Sequence, residues 1–168
     1  MSSATEEIGE RLVALLPRLR RFARSLSRNQ HDADDLVQSA VERAWRNLEQ
    51  FKPGANLAAW MFGIMKNAWI DNRRTHARRG EVALPEDSGE HPAITPDDSI
   101  ANLGANLWDI SEAMHKLPEE QRLAIALVLV EGMSYKEAAE VLEIPIGTLT
   151  SRLARGRTAL AAALGGPP

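Results

Sequence analysis

A chain of 168 residues and 18.5 kDa, 44% hydrophobic, is long enough for one ordinary domain or two small helical ones. It has no cysteine, which excludes disulfides and cysteine-based zinc or iron sites and agrees with a reducing compartment. The net charge of −3 is spread unevenly: residues 1–80 hold 14 Lys/Arg against 9 Asp/Glu, residues 81–112 hold 0 against 8, and residues 113–168 hold 6 against 6. A basic lobe, an acidic connector and a neutral lobe can engage nucleic acid locally while the whole remains acidic.

In the first lobe Ile8, Leu12, Leu15, Leu16, Leu19, Phe22, Ala23 and Leu26 recur at threes and fours, which predicts a core-facing helix with Pro17 as a candidate break. A second helix is expected after Asp32 as N-cap, with Asp34 and Asp35 complementing the dipole and Leu36, Val37, Ala40, Val41, Ala44 and Leu48 as its core stripe. Its polar edge, from Asp34 through Gln38 to Arg46, could dock a partner helix or simply serve the dipole. After Pro53-Gly54 a third helix opens near Asn56, apolar nearly all round through Trp69 and strongly basic from Arg73 to Arg79. Trp60, Phe62 and Trp69 beside Lys66, Arg73, Arg74, Arg78 and Arg79 suit unstacked bases and phosphates, the plainer alternative being core aromatics and a solubilising helix end.

Between Arg79 and Leu107 apolar periodicity gives way to Pro85, Gly89, Pro92 and Pro96 among acidic residues, which predicts a flexible linker over 80–106 between domains 1–79 and 107–168. Nothing reads as a strand, so the expected fold is all-α with two small helical domains. Leu107, Ile110, Ala113, Met114 and Leu117 suggest a lead-in helix, Pro118 the first turn of the next, and Gly132 a C-terminal stop. Ser134 and Glu137 have capping-box spacing, and Ala138, Ala139 and Leu142 offer a close-packing face. Pro145 ends that helix, and the following one places Leu149 and Leu153 on one side and Thr148, Thr150, Ser151, Arg152 and Arg155 elsewhere. This is a helix-turn-helix, whose outer hydroxyls and guanidinium groups can bond phosphates and base edges in a major groove. The bland reading is a helical hairpin with a solvated face.

In its order of segments the chain resembles the extracytoplasmic-function sigma factors, compact two-domain promoter-recognition subunits of bacterial RNA polymerase. Asp34-Asp35-Leu36-Val37-Gln38 with Ala44-Trp45-Arg46 is similar to the family's polymerase-docking helix, which implies beta-prime clamp contact through Asp34, Asp35, Leu36, Gln38 and Arg46. The segment from Asn56 to Arg74 resembles the part that melts and reads the minus-10 element, implying roles for Asn56, Trp60, Lys66, Asn67, Arg73, Arg74 and Arg78. The stretches Leu117 to Arg122, Gly132 to Tyr135 and Gly147 to Leu153 resemble the minus-35-binding domain, implying DNA contacts from Tyr135, Lys136, Gly147, Thr148, Thr150, Ser151, Arg152 and Arg155. The implied partners are core RNA polymerase, through its beta-prime clamp and beta flap, promoter DNA and an anti-sigma factor.

Three positions depart from the family pattern. Glu143 stands where a glycine is usual at the turn, implying a strained positive φ; Thr150 stands where Lys or Arg is common; Gly156 interrupts a helix interior. The rival reading is a one-component regulator that binds palindromic DNA without polymerase. No nucleophile–base pair, phosphate loop or metal constellation suggests an enzyme, and His31, His76, His91 and His115 lack metal-ligand spacing, so neither metal nor cofactor is expected. The N-terminus lacks a signal peptide's apolar run and no stretch approaches the roughly 18 apolar residues of a membrane span, so a soluble cytoplasmic protein without membrane insertion is expected.

Overall fold

Periodic apolar spacing resolves into seven α-helices in a computed structural model that describes residues 3–78 and 107–165. The acidic segment over 80–106, expected as a linker, lies outside the described residues, as does Arg79. In the first lobe α1 is Ser3–Leu26, α2 is Gln30–Arg46 and α3 is Leu57–Arg78, with a 3₁₀ turn at Leu48–Gln50. Leu12, Leu19, Phe22, Ala23 and Leu26 are the buried stripe of α1. Pro17 does not divide that helix, contrary to expectation. Proline deprives the carbonyl four residues earlier of its donor. That residue is Val13, 65% exposed, so water can replace the lost bond.

The start of α2 also differs from its expected position. Asn29, not Asp32, is the N-cap: its Oδ1 accepts from the Asp32 amide at 2.7 Å while its Nδ2 donates to the Asp32 carboxylate at 3.0 Å. Asp32 thus joins the first turn, where negative charge complements the dipole. Asn56 opens α3 as expected, its Oδ1 accepting from the Ala59 amide at 3.2 Å. Met61, Phe62, Met65 and Ala68 are fully buried, and Phe62 meets Phe22 edge-on with ring centroids 5.0 Å apart.

The second lobe comprises α4 (Leu107–Lys116), α5 (Glu119–Ile125) continuing into a π-helical turn at Ala126–Val130, α6 (Tyr135–Leu142) and α7 (Ile146–Ala163). Gly132 follows at φ +71, the left-handed conformation that releases a chain from a helix end. Ser134 then caps α6, its hydroxyl accepting from the Glu137 amide at 3.1 Å. The expected return bond of a capping box is replaced, because the Glu137 carboxylate reaches Asn56 of the first lobe. Glu143 takes the left-handed conformation expected of it, φ 56 and ψ 44, and turns the chain so that Pro145 can precede α7. Such a conformation costs a non-glycine residue roughly 1–2 kcal/mol.

Gly156 is not the weak point it looked. A Cβ there would lie 3.0 Å from Ile125 Cγ1 and 3.2 Å from its Cδ1, so the glycine lets α7 cross α5 at close range. The two lobes pack on each other, α3 against α6 and α1 against α4, α5 and the π-helical turn.

Candidate nucleic-acid and polymerase interfaces

Three surfaces carry the residues singled out in the sequence. On the helix-turn-helix, Leu149 and Leu153 point into the core, at 0% and 2% exposure, and thereby turn Gly147, Thr150, Ser151 and Arg155 outward. Tyr135 and Lys136 are exposed at the start of α6 and Thr148 is half-buried. The Thr150 hydroxyl donates to the Ile146 carbonyl at 2.9 Å, leaving its lone pairs for an incoming donor. Arg152 is less free than expected: it is half-buried, with Nε 3.9 Å from the Glu120 carboxylate. This face still presents the guanidinium of Arg155 and, in part, that of Arg152, with the Lys136 ammonium and several hydroxyls, a set suited to phosphates and base edges.

The second surface is the outer side of α3. Asn67, Arg74 and Arg78 are exposed there. Arg73 lies over the Trp69 ring at 5.6 Å, with its Nε 3.6 Å from Glu119. Trp60 is half-buried and tilted against Phe51, centroids 5.2 Å apart, while Phe62 belongs wholly to the core. Lys66 is the least accessible of the polar residues on this surface. Its residue exposure is 5% and its Nζ lies 3.4 Å from Glu143 of the second lobe, so no phosphate reaches it in this arrangement. Asn56 is similarly engaged, donating from Nδ2 to Glu137 at 3.4 Å.

The third surface is the polar edge of α2, where Asp34, Asp35, Gln38 and Arg46 are exposed. Leu36 is not part of it: at 1% exposure it lies in the core and holds the helix that presents the others. Asp35 pairs with His31 at 3.4 Å and Gln38 donates to Glu42 at 3.4 Å. Trp45 adds an apolar element at 44% exposure, its ring lying over Gly9, where a Cβ would come within 3.3 Å.

Sequence reasoning missed the charged residues that join the lobes. The Glu131 side chain is fully buried and accepts from Arg21 through Nε and Nη2, both at 2.8 Å, while Arg18 Nε lies at 3.4 Å. This bond holds the Arg21 guanidinium above its ordinary range. Arg122, also buried, donates to the carbonyls of Met114, His115 and Leu117 and, across the lobes, of Leu26. Burial, with Arg73 and Arg28 nearby and Glu119 opposing them, brings Arg122 down to about 10. Burial, then the charges of Arg122 and Arg28, lowers His115 to about 4. Local periodicity carries no signal for these pairs, whose partners are up to 113 residues apart. A glutamate ending an otherwise apolar run, as Glu131 does, was the one available hint.

Among the described residues no cluster of His, Asp or Glu could hold a metal ion, and no helix is long and apolar enough to cross a membrane. The family model of sigma-70 region 2 matches residues 12–79 and that of sigma-70 region 4 matches residues 107–160. The chain is 38% identical over 160 residues to the ECF RNA polymerase sigma factor EcfG of Rhodopseudomonas palustris, covering 95% of this chain and 86% of that one. It is 32% identical over 141 residues to the ECF sigma factor SigW of Bacillus subtilis, covering 79% and 75%. Among solved structures it resembles the sigma factor RpoE in complex with the anti-sigma factor NepR from Bartonella quintana, with TM-score 0.78, 34% identity and coverage of 95% and 98%. It also resembles CnrH in complex with the cytosolic domain of CnrY, with TM-score 0.69, 28% identity and coverage of 96% and 89%. Two helical lobes, a helix-turn-helix and relatedness along almost the whole chain place this protein in the extracytoplasmic-function family of RNA polymerase sigma factors.

Proposed function

We propose that this chain, a sigma factor that directs core RNA polymerase to promoters, divides that task among its three surfaces. The α2 edge, through Asp34, Asp35, Gln38 and Arg46, docks on the beta-prime clamp, and the second lobe meets the beta flap. Asn56, Trp60, Lys66, Asn67, Arg73, Arg74 and Arg78 hold the opened minus-10 strand. Tyr135, Lys136, Gly147, Thr148, Thr150, Ser151, Arg152 and Arg155 grip the minus-35 duplex. The domains are 1–79 and 107–168, with 80–106 as the tether. The protein works in the cytoplasm, performs no covalent chemistry and serves stress-response promoters. An anti-sigma factor holds it in check, a reading supported by the complex of its structural neighbour RpoE with NepR.

The observation that carries this reading is the presence in one chain of two separate cationic helices, α3 and α7, whereas a palindrome-binding regulator needs only the second. Energetics point the same way. Opening about ten base pairs costs on the order of 14 kcal/mol at roughly 1.4 kcal/mol per stacked step. A lobe this small offers a few base contacts, each worth roughly 1–3 kcal/mol, enough to trap an opening that the polymerase makes accessible. Purified chain mixed with core polymerase is expected to give promoter-dependent transcripts, while the chain alone gives little specific DNA shift. Failure to stimulate transcription from any member of a promoter-fragment library would overturn the reading.

A further inference from the structure

We infer that the outer ridge of α1, formed by Arg20, Arg24 and Arg28, is a phosphate track that holds the promoter duplex between the minus-10 and minus-35 elements. This rests on the reading of the chain as a sigma factor whose α3 holds the opened strand. Arg20 and Arg24 stand four apart on α1, about 6 Å along its axis and on one side of it, and Arg28 follows at the same interval just past its end. That side is turned from the core, because Leu19, Phe22, Ala23 and Leu26 occupy the other. Arg20 and Arg28 are exposed and Arg24 is half-buried. Neighbouring arginines are paired: Arg18 and Arg21 share Glu131, Arg43 has Asp71 and Arg73 has Glu119. Among the described residues no carboxylate pairs with Arg20, Arg24 or Arg28.

The helix dipole does not account for this ridge. Its pull is confined to the last turn, where Arg24 lies, while Arg20 stands well before the end at Leu26. Like charges at this spacing repel, so a polyanion lying along them gains what folding alone loses. The ridge also runs into the basic end of α3. The Leu26 carbonyl, two residues before Arg28, accepts from Arg122 of α5 at 3.3 Å, and one turn earlier on α5 Glu119 meets Arg73 at 3.6 Å. The charges of Arg28 and Arg73 both bear on Arg122, which sets the two rows side by side. The cations of α3, Arg73, Arg74 and Arg78, thus continue as Arg28, Arg24 and Arg20, and DNA that leaves α3 as duplex meets a second row of guanidinium groups at its backbone. Contacts of this sort fix position and carry no base preference. An acidic protein could use the same charges, but continuity with α3 favours DNA.

The test is the binding of dye-labelled fragments from a promoter library by the full chain assembled with core polymerase. Arg20→Ala with Arg24→Ala removes two phosphate contacts, and alanine, the better helix former, keeps α1 intact. Arg28 stays in place because its charge bears on the buried His115 and Arg122. Each phosphate contact contributes about 0.9 to the slope of log affinity against log salt, so the slope should become shallower by about 1.8, and the affinity lost between about 50 and 200 mM salt should shrink about tenfold. On a fragment cut back to an unpaired minus-10 element, with no upstream duplex, variant and wild type should bind alike. Arg20→Lys with Arg24→Lys should keep the wild-type slope, since a phosphate accepts a point charge. An unchanged slope on the full fragment would overturn the track. So would an equal loss on the shortened fragment, or a weaker grip on core polymerase itself, the outcome expected if the ridge faces an acidic protein surface. A wild-type assembly that binds no promoter fragment at all would overturn the sigma reading, and the track with it.

Discussion

Arg122→Met tests how the second lobe is held at its root. The guanidinium donates to four carbonyls at 3.0 to 3.3 Å, three of them at the C-terminal end of α4, where a helix leaves its last carbonyls without donors. At about 1.5 kcal/mol for each bond from a charged donor, the set contributes roughly 6 kcal/mol. Against this stands the cost of keeping the cation buried. The fall of Arg122 from 12.5 to about 10 corresponds to roughly 3 kcal/mol, dominated by desolvation. The difference leaves a net loss of about 3 kcal/mol on substitution, since methionine keeps most of the apolar stem's packing. With a urea slope of about 1.5 to 2 kcal/mol/M for a helical body of this size, the midpoint should fall by roughly 1.5 to 2 M with little change of slope. Far-UV circular dichroism across a urea series measures it. A shift below about 0.5 M would mean that the four bonds merely offset their own desolvation and that Arg122 does not hold the lobe.

Other positions make equally definite statements. Gly156→Ala gains up to about 1 kcal/mol of helix propensity, but its methyl meets the buried Ile125 at 3.0 Å, and overpacking of about 1–3 kcal/mol outweighs the gain. A thermal melt should therefore show a net loss of about 1 kcal/mol, and a more stable variant would contradict the close crossing. His115 titrates at about 4 when folded against 6.5 as a free group, so its unfolded form takes the proton first. Stability is full above pH 6.5, falls between there and pH 4, and is about 2 kcal/mol lower near pH 5, a dependence that His115→Gln should flatten. Arg152→Ala should lower transcription from promoters with a minus-35 element about tenfold while core polymerase binding persists; equal loss of both would remove Arg152 from the DNA face. Asp35→Ala should instead weaken core polymerase binding, and an unchanged affinity in titrations would count against the α2 edge.

Much of the fold was legible because its signals are local. Spacing at threes and fours marked Leu12, Leu19 and Phe22 on α1, and Ser134 marked the start of α6 by its cap. Glu143 was legible as a left-handed turn residue through the resemblance, since it stands where the family usually has glycine. Errors at element starts were also local: Asn29 and Asp32 are both competent caps, and only the position of the preceding chain decides between them. The contacts of Lys66, Gly156 and Glu137 were not legible, for a different cause. Each is set by a contact with a distant segment, Glu143, Ile125 and Asn56 respectively, and a cation in a basic helix looks the same from its neighbours in sequence whether it faces water or a carboxylate. Leu36 shows the reverse case: it sits inside a polar, partner-like motif, yet its place in the apolar stripe of α2 assigns it to the core.

The π-helical turn at Ala126–Val130 gives chain length a meaning of its own. Its wider bond, from the Glu131 amide to the Ala126 carbonyl at 3.0 Å, amounts to one residue inserted into an α-helix. A turn of this kind absorbs one added residue, so deleting one from the apolar run would restore ordinary winding and leave the side chains on either side facing nearly as they do. The carboxylate of Glu131 would then stay within reach of the Arg21 fork, and the joint between the lobes would tolerate a one-residue change of length at this place in the chain.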